Sequence, residues 1–483
     1  MSGGNAPQLE LLEFHLQNSQ SSRLAGKLDE ATEHISAAFR INSHSVPVLM
    51  EMGLLHQQRG EWTEARKFFE LVQTTQPDNP QILDAIGHTW QAQNNFDKAM
   101  DYWRCAVKIN PDYADAWQNL GLAHEHQDEL PEAIACHQKV TALLPKQSKS
   151  HRLLGTAQLD YGLLSAARQC FNRAIELAPD DPEAIWQRFF LRALAGEFPD
   201  AWVDYECRFH LPSRTTPDHG FVAPRWRGEM LPGKTLLLHA EQGYGDTLQM
   251  VRYAPRVAER ADRILLWAPK SLLTLLSTVS DIDEVVSDKP PEDTFHAHSP
   301  LMSLPGVFGD SLETLPKKVP YLGNYPQTNT KKTVKIGLAW AGSGNQPLDR
   351  RSVLLSELAP LISVNEVSWH SLQLGPEAAQ IANSGWTDLI HDNSEQLNDF
   401  AATATMMAEL DLIICVDSAV AHLAGALGKP VWVLLSFAPD WRWGWEGEIS
   451  PWYPSARLFR QKYGETWSSV GERMTTALRS LVG

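Results

Sequence analysis

A chain of 483 residues is too long for one core and should divide into two to four domains. Its formal net charge of −16 argues against a nucleic-acid partner, because such binders carry a basic footprint. The opening MSGGNAPQLELLEFHLQNSQ has no basic leader before an apolar core, and no run approaches ~18 apolar residues. Neither a secretory signal nor a membrane span is expected, and the expected compartment is the cytoplasm.

Residues 1–212 carry a lattice with a period of 34. Glycine recurs at Gly53, Gly87, Gly121 and Gly155, alanine at Ala31, Ala65, Ala99, Ala133, Ala167 and Ala201, and proline at Pro77, Pro111, Pro145 and Pro179. Small residues are wanted where two helices approach closely, and a proline ends one helix and opens the next unit. Phe69, Trp103, Trp117 and Phe171 would fill the seams. The five cysteines, Cys105, Cys136, Cys170, Cys207 and Cys415, form no CxxC pair and read as reduced thiols. The lattice resembles the tetratricopeptide repeat, which binds peptides along a concave groove. Asp84, His88, Gln91, Gln118 and Glu125 fall on the first helices of their repeats, where that groove would lie; each taken singly reads more readily as part of a solvated helix face.

A Pro/Gly-rich linker at 213–232 follows, and the period then changes to short apolar runs alternating with helical patterns. TLLLH (235–239), RILLW (263–267), EVV (284–286) and FHAH (295–298) are predicted strands of a first α/β domain at 233–327, with one helix running to about Arg260. A second domain at 328–465 opens on VKIGLAW and continues through VSWHSLQL, LIICV and PVWVLL. A last helix at 466–483 is expected to cross back to the first domain. Two such domains place a cleft at the carboxyl ends of their strands.

Two segments sharpen this plan. VDSAVAHLAGALGKPVWVLL (416–435) resembles the donor-side motif of heptosyltransferase-like GT-B glycosyltransferases, and EQGYGDTLQ (241–249) resembles their acceptor-side loop. With SLQLG, DFAATA and FAPDWRW, the whole chain resembles bacterial proteins that join a tetratricopeptide array to this module. The resemblance implies a helical repeat solenoid followed by a GT-B fold of two facing Rossmann-like domains. It also implies an inverting transfer from a nucleotide-diphosphate sugar, used as co-substrate with no resident cofactor and no catalytic metal. The acceptor would be a hydroxyl of a protein or peptide held by the repeats. A glycan acceptor, or a repeat scaffold whose α/β half only binds a nucleotide, are the alternatives.

In that reading Asp246 is the general base, and its other reading is a helix cap in a box with Gln249. His239, ending the same strand, is the second candidate base and otherwise structural. Gly243 and Gly245 allow a tight turn and close backbone approach. Asp417 and Ser418 precede a helix whose N-terminal N–H groups suit a diphosphate, although Ser418 is also a natural cap. His422, one turn in, would touch phosphate or ribose. Arg351, beside Arg350, offers a guanidinium fork to the diphosphate. Gln373 would meet the nucleotide base, and Trp441 and Trp443 would stack on a ring or seal the domains. DID (281–283) reads as a solvated turn, and the pair His296 and His298 makes a weak zinc site.

Overall fold

The structure, a computed structural model, describes residues 6–212, 216, 219–323, 325, 333–342 and 349–482. Part of the expected linker (213–215, 217–218), the expected boundary at 327/328 and the centre of the AGSGNQPLDRRS loop (343–348) lie outside the described residues. The chain forms two compact units, residues 1–158 and 159–483.

The first unit is built of helices packed in consecutive pairs, among them Val46–Gln58 with Trp62–Thr75, Pro80–Gln91 with Phe96–Ile109, and Ala114–His126 with Leu130–Leu143. The lattice has a steric cause. A Cβ on Gly53 would strike the ring of Phe69, one on Gly87 the ring of Trp103, and one on Gly121 the imidazole of His137. Each glycine thus receives a large ring from the next helix. Ala31, Ala65, Ala99 and Ala133 are fully buried at the paired seam. His137 takes an aromatic position and is satisfied at Nε2 by Glu125, 3.0 Å away. Asp84 accepts from Asn119 at 2.7 Å and from the Tyr113 hydroxyl at 3.3 Å. Both acids lie half-buried and brace neighbouring helices.

The second unit begins inside the last repeats. Its helices Leu164–Leu177, Pro182–Leu194 and Asp200–Tyr205 share one core with the sheets, through Phe171, Phe189, Trp202 and Tyr205 against Trp441, Trp443 and Trp452. A four-stranded sheet contains β1 (Leu231–His239), β2 (Ala261–Trp267), β3 (Glu284–Val286) and β4 (Ala297–Pro300) in the order β3-β2-β1-β4. A six-stranded sheet contains β5 (Val334–Ala339), β6 (Val367–Ser371), β7 (Ile390–Asp392), β8 (Leu412–Val416), β9 (Val431–Leu435) and β10 (Ala456–Arg460) in the order β10-β9-β8-β5-β6-β7. Every pairing is parallel. Strand order therefore reverses between β1 and β4 and between β5 and β8, where crevices open at strand ends.

Three local expectations change. The helix expected to run unbroken to about Arg260 is broken into Tyr244–Met250, a 3-10 turn at Val251–Tyr253, and Ala254–Ala258. Pro255 lacks the N–H a continuous helix needs but suits the first turn of a new one. β7 and β10 are additional strands at the sheet edges. The C-terminal helix Trp467–Val482 buries Trp467, Val470, Met474 and Leu478 in the core that also holds Ile336, Trp340, Leu358 and Leu361. It covers the six-stranded sheet of its own domain instead of crossing back to the four-stranded one.

Candidate functional site

β1 ends at His239, and the loop after it is held from beneath. Glu241 is buried and receives Arg208 Nη2 at 2.8 Å, while Arg208 also reaches Ser303 Oγ at 2.7 Å. The Tyr205 hydroxyl donates to Gln242 Oε1 at 3.2 Å. The last repeat helices thereby fix the backbone that presents Gly243–Asp246.

Asp246 makes two contacts. Its Oδ2 accepts from the Gly243 N–H at 2.7 Å, so the capping role is present, without Gln249 as partner. Its Oδ1 accepts from Arg442 Nη2. Arg442 also donates through Nε to Gln249 Oε1 and through Nη1 to Asp440 Oδ1, both at 2.9 Å. One guanidinium from the turn after β9 therefore ties down the helix after β1. Burial raises the pKa of Asp246, and the Arg442 charge and the Gly243 N–H oppose that rise.

Asp417 follows β8 at the switch point of the larger sheet and is 7% exposed. Burial, reinforced by Asp440, pushes its pKa up to about 6 against the pull of Trp443, Arg351 and Arg442. Ser418 occupies the N-cap position of the helix Ala419–Ala426 but turns its hydroxyl back to the Val416 carbonyl at 3.2 Å, so its side chain does not cap the helix. His422 is sequestered. Its ring stacks on Trp443 with centroids 5.4 Å apart, and its Nδ1 shares a 2.9 Å hydrogen bond with the Tyr453 hydroxyl. Burial and then the Arg442 and Arg252 charges hold its pKa far below the usual histidine value, so it is neutral. In this position it packs the two domains together, and its Nδ1 is taken up by Tyr453.

Gln373 has its amide committed to the backbone. Oε1 accepts from Trp340 N–H at 3.0 Å and Ala341 N–H at 2.9 Å, and Nε2 donates to the Leu374 carbonyl at 2.9 Å. It braces the loop after β5, which leaves no amide edge for a nucleotide base. Arg351 Nε donates to Asp349 Oδ1 at 3.3 Å, and its charge acts on Asp417. Arg350 turns away to Asp160 Oδ2 at 2.7 Å.

His239 lies in an aromatic cluster with Phe221, Trp267 and His298, sharing a 3.2 Å hydrogen bond with the His298 ring. Burial, with His219 and His298 adding to it, depresses its pKa well below the usual value. His296 Nδ1 accepts from the Thr235 N–H at 3.1 Å, and Asp283 accepts from the Ile264 N–H at 2.7 Å. Among the described residues no group of three histidine, cysteine or acidic side chains is arranged to hold a metal.

The structure thus packs Gly245 against His422, links Asp246 and Asp417 through the charges of Arg442 and Asp440, brings Arg351 within reach of Asp417, and sets Gln373 and His239 into supporting contacts. Arg442 and Asp440 were missed in the sequence. A charged residue between two tryptophans in DWRW was the available signal, since a buried cation needs acidic partners.

Residues 397–473, which hold Asp417, His422, Asp440 and Arg442, match the glycosyltransferase family 9 (heptosyltransferase) family, and residues 87–128 match the TPR repeat family. Protein FlbA of Caulobacter vibrioides is 27% identical over 474 residues, covering 90% of this chain and 78% of that protein. The tetratricopeptide repeat domain-containing protein PYG7 of Arabidopsis thaliana is 29% identical over 123 residues, covering 25% of this chain and 41% of that protein. Among solved structures, one titled for the functional characterization of Pseudomonas aeruginosa pilF is 15% identical with a TM-score of 0.38, covering 43% of this chain and 93% of that one.

Proposed function

We propose that this chain, a tetratricopeptide-repeat array joined to a glycosyltransferase family 9 module, is an inverting, metal-independent transferase. It would move a sugar from a nucleoside-diphosphate sugar to a hydroxyl of a protein or peptide held by the repeats. The observation that carries the reading is that Arg442 binds Asp246, on the helix after β1, while its charge also acts on Asp417, just after β8.

In this scheme the diphosphate lies at the N-terminus of the helix Ala419–Ala426, where the helix dipole and Arg351 favour an anion. A fixed set of cations and N–H groups supplies the charge compensation that a metal gives other transferases. The acceptor oxygen attacks the anomeric carbon. As that C–O bond forms, the bond from the anomeric carbon to the phosphate oxygen breaks and the nucleoside diphosphate leaves. The acceptor's proton passes to the Asp246 carboxylate.

No helix among the described residues is long and apolar enough to cross a membrane. The test is release of nucleoside diphosphate from a panel of UDP-, GDP-, ADP- and CDP-sugars, with and without candidate protein acceptors. An adaptor that only binds nucleotide would release none. A glycan acceptor would be modified without need of the repeats.

A further inference from the structure

Arg442 is placed where the two halves of the proposed site meet, and its three acceptors come from both. Asp246 and Gln249 lie on the helix after β1, and Asp440 lies beside Arg442 on the turn after β9. Its side chain is 10% exposed, and its charge is felt by Asp417 and His422 at the start of the helix Ala419–Ala426. Gln249 Nε2, fully buried beside it, has no acceptor among the described residues.

This arrangement is awkward for a base. A carboxylate paired with a guanidinium is a poor proton acceptor, because protonation costs the ion pair. A diphosphate offers the guanidinium fork a better partner, with more charge and bidentate oxygens. We infer that Arg442 is a latch released by the donor. In the resting protein its guanidinium neutralises Asp246, and a nucleoside diphosphate arriving beside Asp417 draws it away. Asp246 then becomes a competent base only when a donor is in place, and the donor binds first. The inference rests on the donor site and base of the preceding subsection. The other titratable groups around Asp246 are Asp440 on the turn after β9, Tyr205 of the last repeat helix, and neutral His422 across from Gly245. The pairing with Arg442 is the change that matters.

The test is calorimetric binding of UDP, GDP, ADP and CDP to the full chain, in two buffers of different ionisation enthalpy. In mildly acidic buffer Asp246, left without its cation, should take up a proton as the nucleotide binds, so the wild-type heat should depend on the buffer there, while at neutral pH it stays ionised and can accept the acceptor's proton. In Asp246→Asn the buffer dependence should vanish. That variant should also bind the nucleotide tighter, on the order of tenfold, because the internal competitor for Arg442 is weakened and the competent fraction rises. Arg442→Gln should bind about 10- to 100-fold more weakly. A purely structural bridge gives a different result: Asp246→Asn binds equally or more weakly, with no proton uptake by the wild type. That outcome overturns the latch and leaves the donor site standing. Failure of the wild type to bind any of the four nucleotides overturns the donor site and the latch with it. The wild-type proton uptake needs no variant, so the test survives if a substitution harms folding.

Discussion

Gly245 lies so close to His422 that a Cβ built on it would come within 2.7 Å of the imidazole Cδ2. The two motifs singled out in the sequence are therefore the two sides of one contact, between the helix after β1 and the helix after β8. Gly245→Ala is expected to destabilise the chain by about 1–3 kcal/mol, as overpacking does. Gly243→Ala, whose nearest neighbour is Asp246 Oδ2 at 3.3 Å, should cost less. His422→Ala should relieve the Gly245→Ala clash, so the double variant should lose less than the sum of the singles. Urea unfolding of the four proteins measures this, and strict additivity would separate the two residues.

Asp246→Asn should lower transfer by about 10²–10⁴-fold if its carboxylate takes the acceptor proton. The variant keeps an oxygen for the Gly243 N–H, so capping survives while basicity does not. Single-turnover transfer rates on a cognate donor and acceptor test the point. Near wild-type rates would reduce Asp246 to a cap.

Arg351→Ala should weaken nucleotide binding by about 1.5–3 kcal/mol, the worth of a charge-assisted contact. His422→Ala should act chiefly through stability, since the imidazole is buried against Trp443 and Tyr453. Isothermal calorimetry alongside thermal melts separates the two effects. Equal nucleotide affinity for wild type and Arg351→Ala would remove that arginine from the site.

Asp417 should make stability fall as pH rises. Its folded pKa, about 6, stands above the ordinary carboxyl value, so between about pH 4 and 6 the folded state holds a proton the unfolded chain has lost. Stability from this group is full below that window and is lost as pH climbs through it. Asp417→Asn should flatten the slope and raise stability at neutral pH by about 1–3 kcal/mol. Unfolding free energies across the window decide it, and an unchanged slope would show that Asp417 ionises normally.

In the repeats, Gln91→Lys with Gln118→Lys is the cleaner test of a groove on the first helices. Acceptor modification should fall while donor hydrolysis persists. Asp84→Lys and Glu125→Lys should instead lower the array's melting temperature, because Asn119 and buried His137 lose their partners. Parallel assays of modification, hydrolysis and melting distinguish the cases. Loss of both activities in the glutamine pair would mean that the array supports the fold of the catalytic half.

Much of the architecture was legible because it is written in periods. Gly53, Gly87 and Gly121 each admit a ring, and that requirement recurs at fixed spacing. β8 and β9 are wholly buried and read as continuous apolar runs. The edge strands β7, IHD, and β10, ARLFR, carry too little apolar pattern to stand out. Site residues were harder for a different reason. Gln373 and His422 occupy the expected segments, yet loop backbone takes up the Gln373 amide and the Tyr453 hydroxyl takes His422 Nδ1. Arg442 meets Asp246 across 196 positions of chain, a pairing that no local pattern announces.

The sharing of one core by the last repeat helices and the two sheets sets the point at which this protein can be recombined. A cut at residue 212 would divide Trp202 and Tyr205 from Trp441 and strip an aromatic core from both pieces. It would also take Arg208 away from Glu241 and loosen the loop that carries Asp246. A cut at 158 spares both. Gene fusions that exchange repeat arrays between such proteins should therefore inherit the final repeats with the α/β half and trade only what precedes them.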